Sequence, residues 1–372
     1  MRSIIATPAD ITPANLTEIL RDSGALPHGA IVAVAQRPND AFNSHITHLT
    51  LTYSPDSPVT VPTRLFLKRN LDAAWAVSAN AAEVAFYRLI SVLPADHLPM
   101  ILRAYSAEHE AKTGRSQLLL PDLSQSHETP VERARVLALD GVPTGEQLDA
   151  VVDAIAAFHA YWWQHPALGT LALPLSDISR DTAAHERFVR RAAADWAAFS
   201  AAEGSDFPAD LRVLYEYALA RLPNVWERYL ADRLSARRQV TLCHTDCYFA
   251  AFLCPRASGQ GEVYIIDWQG PQVDVAARDL VFLFANFWTA AQRAEDGREE
   301  RLLRRYHHAL VVHGVSGYRW DEFVQDYRLM LIYRIFLPVW DAANGSRRAY
   351  WWPKLNCLTD AYRDWDCAAL LT

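Results

Sequence analysis

Residues 240–288, VTLCHTDCYFAAFLCPRASGQGEVYIIDWQGPQVDVAARDLVFLFANFW, constrain this chain more than any other stretch. Val240 and Leu242 belong to a short apolar run that ends in His244-Thr245-Asp246, and Val263-Tyr264-Ile265-Ile266 form a second run that ends in Asp267-Trp268. Each carboxylate therefore falls where a buried strand gives way to a loop. Pro255, Ser258, Gly259 and Gly261 supply turn chemistry between the runs, which predicts a hairpin-like unit with Asp246 and Asp267 at one end. Two carboxylates so held can divide the labour of phosphoryl transfer, one accepting a hydroxyl proton and the other gripping the magnesium of ATP.

Each piece also has an ordinary structural explanation. An HxD triplet arises often by chance, and an Asp after an apolar strand commonly serves as a turn or cap residue. Cys243, Cys247 and Cys254 lie close to His244, but C-x3-C-x6-C is not a zinc spacing and no paired Cys or His knuckle lies elsewhere. Order and distance outweigh these alternatives: HxD, a turn, an apolar strand ending in Asp, then Arg278-Asp279-Leu280 on a strongly apolar helix.

This segment resembles the catalytic stretch of the aminoglycoside and choline kinase-like phosphotransferases, near their ecdysteroid kinase-like branch, where HxDxxxxN precedes an IDW or IDF strand end. The resemblance implies that Asp246 is the catalytic base and Asp267 the metal ligand. It makes His244 a structural residue of the catalytic loop and Asp279 a brace from the following helix. One member is missing. Five residues after Asp246 stands Ala251, where the family pattern has an asparagine that helps to bind magnesium, and a methyl group offers no ligand.

Upstream, Thr12-Pro13 starts a helix that Gly24 ends. Ile31 to Val34, Ile46 to Tyr53 and Thr63 to Lys68 then predict three antiparallel strands. The link over residues 37–45 falls where a phosphate-covering loop would lie; it holds no glycine, so Asn43, Ser44 and backbone amides are its candidate donors, and an ordinary polar turn explains it equally well. Lys68 closes the third strand, and Glu83 lies on the next helix with Phe86, Tyr87 and Ile90. By the same resemblance these two match the lysine that holds nucleotide phosphates and the glutamate that holds the lysine. The buried strand at 116–120 runs into Pro121-Asp122-Leu123, similar to the family's hinge, which places the adenine contacts near Leu120 and Leu123.

Past the hinge the chain turns helical. Pro143-Thr144-Gly145-Glu146 opens a helix running through Leu148, Val152, Ile155 and His159, the last a core histidine by its setting. Two further helices cover 181–199 and 211–230, and three more lie at 301–313, 321–335 and 354–369. Trp340, Tyr350, Trp351, Trp352 and Trp365, with Asp341 nearby, either hold a cation such as a quaternary amine or fill a helical core.

A net charge of -7 with no basic cluster argues against nucleic acid as partner. No apolar run spans a bilayer, and the amino end lacks a signal-peptide pattern. The odd count of five cysteines fits a reducing, cytoplasmic setting.

The expected fold is α+β, a two-lobed protein-kinase-like architecture with a small antiparallel β-rich N-lobe and a larger, mainly helical C-lobe. Residues 1–120 form the nucleotide-binding lobe, 121–125 the hinge, and 126–372 the helical lobe with the catalytic loop and substrate cleft. The expected activity is magnesium- and ATP-dependent phosphoryl transfer to a hydroxyl of a small cationic or hydrophobic molecule. The rival expectation, carried by Ala251, is a weak or inactive kinase-fold protein that binds without turnover.

Overall fold

Thr12 caps helix α1 (Pro13–Asp22): its hydroxyl accepts the Asn15 amide at 3.2 Å, and Pro13 occupies a first-turn position that needs no donor. The computed structural model describes residues 4–40, 44–94, 96–170, 173–176, 180–256 and 261–372. The chain divides into two units, 1–128 with 253–271 and 129–252 with 272–372.

The first unit is built on a five-stranded antiparallel sheet. Its strands are β1 (Ile31–Asp40), β2 (Ser44–Tyr53), β3 (Arg64–Asn70), β4 (Ser106–Glu110) and β5 (Arg115–Pro121), in the order β1-β2-β3-β5-β4, with helix α2 (Ala74–Ser91) inserted after β3. Alternation decides what each face holds. Leu65 and Leu67 of β3 join Leu49, Leu51 and Leu119 in a core that Leu16, Ile19 and Leu20 of α1 complete. Lys68 therefore falls on the other face.

The sequence missed β4, whose Ser-Ala-Glu-His-Glu has no apolar alternation, and it expected a loop over 37–45. Most of that loop is paired strand instead, with Arg37 opposite His48 and Asp40 opposite His45. Ladder hydrogen bonds hold polar residues as well as apolar ones, and Pro38 is tolerated because β1 is an edge strand.

After β6 (His127–Glu128) the chain enters the second unit through α3 (Arg133–Leu137), α4 (Gly145–Tyr161), α5 (Thr182–Glu203), α6 (Ala209–Val225) and α7 (Ala231–Ser235), reaching β7 (Thr241–Cys243). Thr144 and Gln147 form a reciprocal capping box at the start of α4. The chain then contributes β8 (Phe252–Pro255) and β9 (Tyr264–Ile265) to the first unit and returns at β10 (Gln272–Asp274).

Pairing here corrects the expected hairpin. β7 pairs with β10, while β8 lies between β6 and β9. The apolar run Phe252-Leu253-Cys254 is too short to announce itself by periodicity, yet it takes the place beside β9 that the sequence assigned to the strand before Asp246.

The remaining helices are α8 (Ala277–Ala285), α9 (Ala290–Ala294), α10 (Arg298–Val312), α11 (Trp320–Arg334), α12 (Phe336–Ala343) and α13 (Arg348–Asp364). Helix α10 packs on α4, α11 on α8, and α12 on α5. The helices expected from the sequence end at Ile335 and resume at Lys354, so α12 was missed. Among the described residues no helix is long and apolar enough to cross a membrane. All five cysteines are free and buried.

Leu67 is fully buried in the middle of the sheet. Leu67→Ala is expected to cost about 2 to 5 kcal/mol of stability, measured by denaturant unfolding of the intact chain. A cost near zero would show that this face of β3 does not carry the core.

Candidate active site

Lys68 is a buried ammonium with two carboxylate partners. Its Nζ lies 2.7 Å from Glu83 Oε2 and 2.6 Å from Asp267 Oδ1. Burial alone would push the lysine pKa down, but Asp267 and then Glu83 outweigh it and hold the group above its ordinary value. All three residues belong to the first unit. They come from β3, from α2 and from the turn after β9.

Local structure fixes each arm. Phe86, one turn beyond Glu83 on α2, stacks on Trp268 with centroids 4.1 Å apart and planes at 16°. Trp268 also donates its indole N–H to the Ile265 carbonyl at 2.9 Å. Asp267 has φ of +67°, the left-handed region that aspartate tolerates better than most residues. The Asp267 side chain is 30% exposed, against 3% for Glu83. A partly exposed carboxylate beside a buried ammonium suits a hard divalent cation and phosphate oxygens respectively, so Lys68 and Asp267 fit a magnesium nucleotide.

In the second unit, Asp279 near the start of α8 gathers the loop that carries His244 and Asp246. Its Oδ2 accepts the His244 amide at 2.6 Å and its Oδ1 the Thr245 amide at 2.8 Å. His159 of α4 lies 3.2 Å from Oδ2 through Nε2, and its Nδ1 meets the Tyr306 hydroxyl at 2.7 Å. Burial would raise the Asp279 pKa; the His159 and His244 rings and the His244 amide outweigh it and hold the carboxyl below its ordinary value. Thr245 then takes a left-handed φ of +71° and Asp246 emerges exposed. His159, Cys243 and Asp279 are close enough to share a metal, but the Asp279 oxygens already serve backbone amides.

Asp246 lines a cavity of about 290 Å³ with Thr245, Tyr248, Arg133, Phe282, Phe287, Arg334, Leu337, Trp340, Asp341, Tyr350 and Lys354 among its walls. A second cavity of about 500 Å³ shares Arg334, Leu337 and Trp340 with it. The carboxyl-terminal aromatics divide between the two roles weighed for them. Trp351 is buried against Phe199, and Trp365 donates to Glu299 at 3.1 Å. Trp340 and Tyr350 are exposed on the cavity wall. Asp341, however, already holds a cation: the Lys354 ammonium is hydrogen-bonded to it and sits 3.7 Å from the Tyr350 ring centroid.

The other residues singled out in the sequence fall as follows. Asn43 lies outside the described residues. Ser44 is buried at the start of β2, opposite Asn70. Leu120 is paired with Phe66 in β5. The Leu123 carbonyl accepts the amides of Ser126 at 3.0 Å and His127 at 2.9 Å, so it closes a turn. Ala251 ends the short turn Phe249–Ala251, is buried, and donates its amide to the Tyr248 carbonyl at 2.8 Å. Arg334 and Lys354 were not found from sequence. The available signal was a lone cation inside each apolar helix pattern, Arg334 after Leu331-Ile332-Tyr333 and Lys354 after Trp351-Trp352-Pro353.

Comparison with known proteins agrees with this architecture. The profile of the Ecdysteroid kinase-like family matches residues 85–314. No curated protein sequence matches the chain. Among solved structures, the choline kinase from Cryptosporidium parvum Iowa II is similar with a TM-score of 0.57 at 8% identity, covering 97% of this chain and 98% of that one. A Plasmodium vivax ethanolamine kinase is similar with a TM-score of 0.50 at 8% identity, over 90% of this chain and 81% of that one. The fold is mixed α+β and protein-kinase-like.

Asp279→Asn replaces one acceptor oxygen by an N–H donor facing a buried backbone N–H. The expected cost is on the order of 3 kcal/mol, with faster hydrogen exchange at the His244 and Thr245 amides. Unchanged exchange there would show that Asp279 does not hold the loop.

Proposed function

The chain belongs to the ecdysteroid kinase-like family, and from that premise we propose that it is a small-molecule phosphotransferase moving the γ-phosphate of ATP to a hydroxyl group. In this reading residues 1–120 form the nucleotide lobe, 121–125 the hinge and 126–372 the helical lobe, with residues 253–271 bringing Asp267 to the nucleotide side. The observation that carries the proposal is the Lys68 ammonium held by Glu83 and Asp267. A buried charged trio is costly, and apolar packing of the same volume would stabilise the fold as well or better. Its retention makes sense as a phosphate and metal site.

Lys68 would bind nucleotide phosphate oxygens, with Glu83 keeping it aimed and charged. Asp267 would hold magnesium, which supplies neutralisation of the phosphate charge when bound. Asp246 would accept the acceptor's hydroxyl proton, and its exposure on the cavity wall leaves it accessible to an alcohol. His244 and Asp279 act by positioning that loop. Near Leu120 and Leu123 the backbone would meet the nucleobase. A reducing, cytoplasmic setting suits five free thiols.

A second reading is favoured by one residue. Ala251 offers no oxygen to the metal, which points to a protein that binds nucleotide and turns it over slowly or not at all. Magnesium-ATP turnover across a panel of hydroxyl acceptors, with nucleotide binding followed by calorimetry, separates the two. Transfer supports the first reading; binding with no transfer to any acceptor supports the second.

Asp246→Asn is expected to lower the transfer rate by about 100-fold to 10,000-fold while nucleotide affinity stays nearly constant. Full activity in that variant removes Asp246 as the base. Asp267→Ala is expected to abolish the magnesium dependence of ATP binding, read by titration with and without the metal. Equal affinities for magnesium-ATP in wild type and variant would remove Asp267 from the metal site.

A further inference from the structure

Arg334 lines both the cavity that holds Asp246 and the larger cavity beside it, and nothing in the proposed chemistry uses it. Its Nε donates to the neutral side chain of Asn286 at 3.2 Å, its guanidinium carbon lies 3.9 Å from the Phe282 ring centroid, and its buried Nη2 has no acceptor among the described residues. No carboxylate forms an ion pair with it among the described residues. A guanidinium held this way, on an aromatic face and against a neutral amide, has Asp246, Asp341 and Asp279 acting on it only at longer range, and supplying an anion in direct contact relieves the cost of its burial.

The neighbouring cage is in the opposite state. Asp341 and the Tyr350 face, the pair suited to an ammonium group, are occupied by the protein's own Lys354. An incoming amine meets a second ammonium there rather than a vacant carboxylate. Phe282 lines the smaller cavity with Asp246, and Leu337 and Trp340 line both cavities, so apolar wall is common to the two.

We propose that the acceptor is a hydroxylated, predominantly apolar carboxylic acid: its hydroxyl reaches Asp246, its carboxylate pairs with Arg334, and Lys354 excludes amino alcohols. This rests on the phosphotransferase reading for the role of the hydroxyl only. The carboxylate contact stands on the cavity itself.

The test uses the full chain and ω-hydroxy fatty acids of graded length, each compared with its methyl ester and with the amino alcohol of the same length. Binding is measured by calorimetry without nucleotide, and phosphoryl transfer is measured separately. The best acid is expected to bind about 10-fold or more tightly than its ester and its amine counterpart. That preference should vanish in Arg334→Met and in Arg334→Gln, the second variant keeping a polar group for Asn286 should the first fold poorly. Equal or tighter binding of the amino alcohol overturns the proposal, as does an acid preference that survives both variants. Loss of ATP affinity with the acid preference intact also overturns it, since Arg334 would then serve nucleotide phosphate. Acid-selective binding with no transfer upholds the inference and fells the phosphotransferase reading. Transfer to amino alcohols alone does the reverse.

Discussion

The buried Lys68 ammonium sets the terms for the first unit. Removing a charge of this kind from water costs several kcal/mol even after relaxation, and its partners have to repay that through geometry. Two carboxylates at 2.6 and 2.7 Å do so, and they tie three separate pieces of chain to one nitrogen. The partners are not equivalent. Glu83 is sealed on α2, whereas Asp267 is partly exposed and sits in a left-handed turn. Glu83 is placed to keep Lys68 charged whatever else binds. Solvent reaches Asp267, so in the proposed function it is the partner open to a second cation.

Asp279 solves a related problem with different materials. Here the charge is a carboxylate, and its compensation comes from two backbone amides and an imidazole rather than from a full counterion. Amides donated by a bent backbone bind an anion firmly, and in return the anion fixes the bend. The left-handed Thr245 that brings Asp246 to the surface is thereby held by a group three strands further along the chain. The Phe86 stack on Trp268 does the same for Asp267 by packing instead of charge. Each acidic residue proposed for chemistry thus sits on backbone that another residue helps to hold.

Much of this was legible in the sequence because the informative residues sit at strand and helix ends, where residue type and position constrain each other. Lys68, Glu83 and Asp267 were singled out individually, and they meet in space. The three antiparallel strands of the amino end were legible, but strand pairing around Asp246 was not. Thr241–Cys243 pairs with Gln272–Asp274, which lies beyond the apolar run that looked like its partner, because register depends on contacts far apart in sequence. The polar strand Ser106–Glu110 and the extension of β1 through Pro38 were hidden for a related reason: ladder hydrogen bonds do not require apolar side chains. The cavity walls were the least legible part. Tyr248, Phe282, Arg334 and Lys354 come from three helices and a loop, and only their packing makes them neighbours.

Charge inside that cavity shows why composition is a poor guide to a ligand. Aromatic rings beside Asp341 look from sequence like a receptor for a cation, and the chain's net charge of -7 points the same way. The structure inverts the local balance. Lys354, buried and one helix away from Asp341, neutralises it, while burial and Arg334 pull the lysine's own pKa down despite the carboxylate. Arg334 itself is held below its ordinary pKa by burial and by Arg278. Arg334 and Lys354 repel each other in a partly dry space despite Asp341 and Asp246 on the same wall, and that repulsion falls when an anion enters between them or beside either one. The surface of the protein is acidic, but the walls next to Asp246 are short of negative charge.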